Sequence, residues 1–242
     1  MRGTIQSEAL RSVSGLSLLA VYLVAFLLPA FVLFSDGSRL DVAGLDPAAA
    51  TTRLLEPLAW SAVSAAFVGA YGVTREYYYG SMDRTLTSVG FRRAFAGKLV
   101  AGVLVALALS VGLFVVWTAG VAVFLSRSGL SLTLMSDGWR LCAGALVGGV
   151  LGALIGGAIG WITRNYYVTA VLILVLPMVG ELALLRTVPE VAKFSPGLAL
   201  AALGVPGYQG RLLEFGPALV VALAWTAGLV AVAWTGGRRR AG

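Results

Sequence analysis

At 242 residues, 59% of them hydrophobic and 12% charged, with a mean hydropathy of +0.90, the chain is too apolar to present a water-soluble surface and reads as an integral membrane protein. The absence of histidine excludes histidine general bases, histidine metal sites and bis-histidine haem. A single cysteine, Cys142, excludes an intrachain disulfide and a thiolate cluster, and the net charge of +7 reads as membrane orientation rather than nucleic-acid binding.

Arg2 and Arg11 precede the first apolar run, 16–34, as in a signal peptide. The run is longer than a usual signal core and no small-x-small cleavage site follows it, so it is expected to stay as an uncleaved first span. Ahead of it, Ile5, Ala9 and Val13 share one helical face, which fits a short interfacial helix. Five further runs, 54–73, 99–125, 141–161, 168–185 and 217–235, are long enough to cross a core of about 30 Å. The expected fold is an all-α polytopic membrane protein, a single domain over 1–242 with six transmembrane helices. The run 99–125 is long enough that it must tilt or project. Glu56-Pro57, at the head of the second span, carries the marks of a helix start: a carboxylate near the N-terminal dipole and an early proline.

Between the second and third spans, residues 74–98 form the one long polar segment with a basic excess. It holds Arg75, Arg84, Arg92, Arg93 and Lys98 against Glu76 and Asp83. A short helix is expected over 81–89, with Gly80 before it, Ser81 as its cap and Gly90 as its stop. Met82, Leu86 and Val89 lie on one face of it. At about 13 Å it is too short to be stable alone and must lie against a protein or the membrane surface.

The fourth span carries glycines at every fourth position, Gly144, Gly148, Gly152, Gly156 and Gly160, with Gly149 and Gly157 beside them. Each step of four drifts about 40° round the helix, so the glycines form a winding ribbon that lets another backbone approach closely, for static packing or for sliding. Glu181 is the one acidic residue well inside a span, four residues after Pro177. A carboxylate there is costly; it is expected either to meet a cationic substrate or proton, or to snorkel or pair with a nearby arginine such as Arg186. Between the fifth and sixth spans, Ser195-Pro196 is a cap-plus-first-turn signature for a short apolar helix over 198–203, stopped by Gly204 and Pro206. It is too short to span and should dip into the outer face or pack on other spans.

With six spans both termini share a side. That side, with the 74–98 segment, Arg164 and Arg238, Arg239 and Arg240, holds eleven basic and three acidic residues, against seven and eight on the other. The asymmetry places both termini in the cytoplasm. Tyr77, Tyr78, Tyr79, Trp161, Tyr166, Tyr167 and Trp234 then fall at the inner interface. Catalysis finds no footing. Gly97-Lys98 is a poor phosphate loop, because Leu99 stands where a magnesium-binding hydroxyl is needed and no strand precedes it. A span serine has no histidine base, and Glu181 has no acidic partner.

Glu76-x-x-x-Gly80-Ser81-x-x-x-x-Leu86, then Arg92-Arg93 and Lys98 at the head of the third span, resembles the cytoplasmic loop of type 2 ABC-exporter permeases, in its actinobacterial form. The segment from Gly156 to Gly160, Arg164, the run from Val168 to Pro177, and Lys193-Phe194-Ser195-Pro196 extend the resemblance over the chain; Gly90 departs from it, because many members carry proline there. The resemblance implies a non-catalytic permease whose 81–89 helix couples to a separate ABC ATPase. The coupling residues would be Glu76, Gly80, Ser81, Met82, Asp83, Arg84, Leu86 and Val89. It implies a second permease copy or a related permease in the working unit. ATP and magnesium would be bound by the partner and no cofactor by this chain. Substrates in such a family are peptides, antibiotics, other drugs, lipids or polysaccharides. Two other classes share the hydropathy: an ATP-independent secondary transporter or channel, and a non-transporting immunity or anchor module.

Overall fold

In the computed structural model, residues 27, 29–31, 33, 34 and 40–241 are described. The described part of the predicted first span is helical. The rest of that span and the interfacial helix expected before it lie outside the described residues, as does the placement of the N-terminus.

Five helices are long and apolar enough to cross a membrane, and the described residues form no strand. They are α1 (Pro47–Tyr78), α3 (Phe91–Arg127), α4 (Ser136–Thr163), α5 (Tyr166–Thr187) and α7 (Phe215–Ala241). Two short helices complete the fold, α2 (Met82–Val89) between α1 and α3 and α6 (Pro196–Gly204) between α5 and α7.

α1 begins earlier than hydropathy suggests. The Asp46 carboxylate accepts from the amides of Ala48 and Ala49, with Pro47 in the first turn. Glu56-Pro57 therefore does not start the helix. Proline offers no N–H, and the backbone tightens into a 3₁₀ turn over Glu56–Trp60 before the α-helix resumes at Ser61. At 37 residues α3 is about 55 Å long, so it projects beyond a core of about 30 Å. α5 is wound as a π-helix over Val171–Glu181, around Pro177. α6 forms where the sequence places a short helix, and from Gly197 to Gly204 every residue is buried.

α4 is the packing hub, with α1, α3, α6 and α7 all packed against it. α1 and α4 are largely buried, whereas α5 and α7 present most of their surface outward. Val220 and Val232 of α7 and Val171 and Val179 of α5 are exposed apolar residues of that surface.

The helix ends sort into two poles. The C-terminal ends of α1, α4 and α7 and the N-terminal ends of α3 and α5 meet through ring contacts: Tyr77 with Trp161, Phe91 with Trp161 and Trp234, and Tyr78 with Tyr166. This is the pole that carries α2, Arg164 and the C-terminal arginines. The aromatic residues expected at one membrane interface do gather here, but not all as a belt. Trp161 is 2% exposed and belongs to the interior, enclosed by the rings of Tyr77, Phe91 and Phe95 in the cluster that also holds Met82. At the other pole lie the N-terminus of α1, the N-terminus of α4 and all of α6; Thr51 accepts there from the Thr133 amide at 3.1 Å.

Candidate functional site

The basic pole is built where α1 ends. Gly80 has φ +64°, and the amides of Ser81 and Gly80 bond back to the carbonyls of Glu76 (2.9 Å) and Tyr77 (3.3 Å). This left-handed stop satisfies the last carbonyls of α1 and throws the chain directly into α2. Ser81 holds the cap position of α2 but does not cap it. Its hydroxyl turns back to the Glu76 carbonyl at 3.5 Å instead of accepting from the α2 amides. Gly90 ends α2 with φ +77°, a conformation closed to proline, whose φ is fixed near −65°; its carbonyl then accepts from Ala94 in the first turn of α3. The departure at Gly90 therefore goes with a turn that proline could not make.

α2 is seated on its own protein. Met82 is 2% exposed, in a cluster with Val73, Phe95, Leu99, Ala158, Trp161 and Ala233, and Leu86 packs on the same cluster. Val89 is half-buried. The apolar face expected to fill a groove on another subunit is thus largely spent on the bundle. An eight-residue helix has no stability of its own, and the nearest apolar surface is the end of the protein it interrupts. What α2 turns outward is polar: Asp83, Arg84, Thr87 and Ser88 are exposed.

Where α3 runs back along the end of α1 lies an ion pair that no local pattern signals. The Lys98 ammonium sits 2.9 Å from the Glu76 carboxylate and donates to the Gly72 carbonyl at 3.3 Å. The Lys98 side chain is 1% exposed and that of Glu76 10%. The pair ties the last turns of α1 to the second turn of α3, and so fixes the two ends from which α2 hangs. Twenty-two residues separate the partners, so helical periodicity does not point to the pairing.

The glycine ribbon of α4 serves two partners. A side chain at Gly144 would collide with the Leu203 carbonyl of α6, and one at Gly148 would press on Leu200 at 3.2 Å. Further along, a side chain at Gly152 would meet Ala62 of α1, one at Gly156 would meet Ala66, and one at Gly160 would press on Ala70, Val73 and Thr74 at 3.2–3.3 Å. Gly149 faces Ser110, and Gly157 faces Leu99, both of α3.

Glu181 is 4% exposed. It neither reaches toward the membrane surface nor pairs with Arg186, which is exposed. Its two carboxylate oxygens accept from the amides of Gly197 (3.2 Å) and Leu198 (2.9 Å). The carboxylate thus caps α6 from the neighbouring span, at the positive end of the helix dipole. Ser195 holds the local cap position, but its hydroxyl makes no capping bond. Gly197 is required by this approach, because a side chain there would overlap Glu181 and touch Pro177 at 3.0 Å.

Among the described residues no group of three or more metal-ligating side chains converges, and the basic pole offers no nucleophile–base pair, only charge, aromatic surface and a presented helix. Comparison with protein-family models and with curated proteins finds no match to this chain.

Proposed function

We propose that the chain is the membrane-spanning permease subunit of an ABC exporter, and that α2 is the element through which a separate ATPase subunit acts on it. The observation that carries this reading is the way α2 is mounted. A short helix interrupts two long ones, is anchored on its apolar side by Met82, and offers Asp83, Arg84, Thr87 and Ser88 to the solvent. A helix that only floated on lipid would turn its apolar face to the bilayer; this one turns it to the protein and leaves a polar face for a partner. Opposite charges at Asp83 and Arg84 suit a contact set in register by charge pairing. ATP and magnesium belong to that ATPase in this reading. A second permease copy would cover part of the exposed apolar surface of α5 or α7. The pathway would carry a peptide, an antibiotic, another drug or a lipid, across a bacterial cytoplasmic membrane with both termini on the cytoplasmic side.

The test is co-purification of an ABC ATPase with the tagged chain from native membranes. Wild type should retain the ATPase, and Asp83→Arg combined with Arg84→Glu should release it while the chain still inserts, because no span is altered. Absence of any ATPase from the wild-type preparation, or its full retention and normal turnover with the charge-reversed chain, would defeat the proposal.

A further inference from the structure

We propose that an apolar crevice between the described part of the first expected span and α3, toward the pole opposite α2, holds one acyl chain of a membrane lipid. The cavity has a volume of about 370 Å³, and every described residue that lines it is apolar. Its floor is Leu54 of α1 with Trp117 and Val121 of α3, which are 2%, 7% and 7% exposed. Its rim is Phe34 on one side and Val116 and Phe124 on the other, all three exposed at the surface of the bundle. Gly120 stands in the wall between the two α3 rim residues, and a side chain there would meet nothing within 4 Å.

The chemistry of the lining selects the occupant. The indole N–H of Trp117 donates to the Leu54 carbonyl at 3.0 Å, so the polar edge of the floor is spent on the protein. An apolar cavity does not hold water, and one of about 150 Å³ is already large enough to take up benzene. Left unfilled, this larger cavity would deprive its lining of dispersion contacts on one side. Its dimensions fit a hydrocarbon chain. From Val116 to Phe124 it follows α3 for about 12 Å, close to the depth of one leaflet, about 15 Å of a core of about 30 Å. Just beyond Phe124 the helix turns polar, with Ser126, Arg127 and Ser128 exposed at the level where a headgroup would lie. A chain entering sideways from the bilayer past Val116 and Phe124 meets only apolar groups.

The site does not depend on the transport reading. The purified protein in phosphatidylcholine nanodiscs, with a fraction of the lipid carrying a diazirine in one acyl chain, tests it. After illumination, fragmentation mass spectrometry places the adducts. Wild type should be labelled at Leu54, Trp117 and Val121, which lipid lying against the outer surface does not reach, as well as at the exposed Val115 and Val123. Gly120→Leu fills the wall and should lower labelling of the floor about threefold or more, through lost room and contacts, with Val115 and Val123 labelled as before. Gly120→Ala, a smaller plug, should give a smaller loss, and it serves if the leucine lowers yield. Gly112→Leu, on α3 outside the cavity, should leave the floor labelled as in wild type. An unlabelled floor in wild type, unchanged floor labelling in both Gly120 variants, or an equal loss in Gly112→Leu would overturn the proposal. So would labelling of the floor by a free diazirine fatty acid but not by the phospholipid, which would make the occupant a lipophile other than bilayer lipid.

Discussion

Removing Lys98 isolates the contribution of the ion pair that ties the end of α1 to the start of α3. In Lys98→Met the stem is kept and the ammonium removed, so the Glu76 carboxylate, 10% exposed, remains in a site built for a cation. Breaking a buried pair from one side costs about 3–5 kcal/mol, because the surviving charge has lost both water and partner. Glu76→Leu makes the complementary break and removes the counter-charge of the ammonium, which keeps its bond to the Gly72 carbonyl. Replacing both at once leaves no buried charge, and such replacements are about neutral. The double variant should therefore sit close to wild type, so that the coupling between the two sites is about as large as the two single losses together, roughly 6 kcal/mol or more. For a chain of this size about 1 kcal/mol moves a thermal midpoint by roughly 2–4 °C, so each single change should lower the midpoint in detergent by about 6–20 °C and the double by only a few. Because the pair fixes the ends that carry α2, a cysteine at Ser88 should become more labile to trypsin-coupled labelling in each single variant and revert in the double. If the double variant is as unstable as the two singles summed, the residues act independently and the pair does not hold this pole together.

The remaining predictions concern the other pole, the ribbon and the topology. Glu181→Leu strands the amides of Gly197 and Leu198 and should cost about 2–4 kcal/mol in the same thermal assay, with Glu181→Gln, which keeps one acceptor, near half of that; an unchanged midpoint would show that the carboxylate does not moor α6. Gly156→Leu drives a side chain into the backbone of α1 and should reduce folded yield, whereas Gly112→Leu on α3, where a side chain meets nothing within 4 Å, should not; equal yields would argue against close packing of the ribbon. In a Cys142→Ala background, a cysteine at Ser81 should be labelled only after the cytoplasm is opened and one at Ser128 from outside intact cells, and external labelling at Ser81 would refute the orientation.

The five long apolar helices were legible because a span must be long and apolar whatever its neighbours are; the first expected span lies mostly outside the described residues. Contacts between segments were not. The apolar stripe Met82–Leu86–Val89 tells that α2 needs cover, but the stripe is the same whether the cover is another subunit or the end of α1 and α3. Ser195-Pro196 marks the start of α6 correctly and names the wrong capping group, since a local rule cannot register a carboxylate arriving from α5. Once Glu181 is buried at that helix end, its two carboxyl oxygens take the amides of Gly197 and Leu198 that a local cap would otherwise serve. Lys98 and Glu76 both appear in the sequence as residues of one polar segment, and only the antiparallel return of α3 along α1 brings them to 2.9 Å.

The ribbon joins the two poles. Four steps of about 40° turn it through about 160° between Gly144 and Gly160, so one helix cannot follow it from end to end. The drift takes it off α6 after Gly148 and onto α1 by Gly152, and the change of partner seen in the packing is the geometric consequence of a four-residue repeat on a 3.6-residue helix. At Gly144, Gly152 and Gly156 the contact is backbone against backbone, with no side chain between to take up a shift. The position of α6 is therefore fixed relative to α1 through α4, while the far end of α4 carries Trp161, which belongs to the cluster that seats Met82 of α2. A displacement of α4 along its axis would have to move glycines past carbonyl oxygens at the α6 seat and disturb the Trp161 cluster at the other end in the same motion.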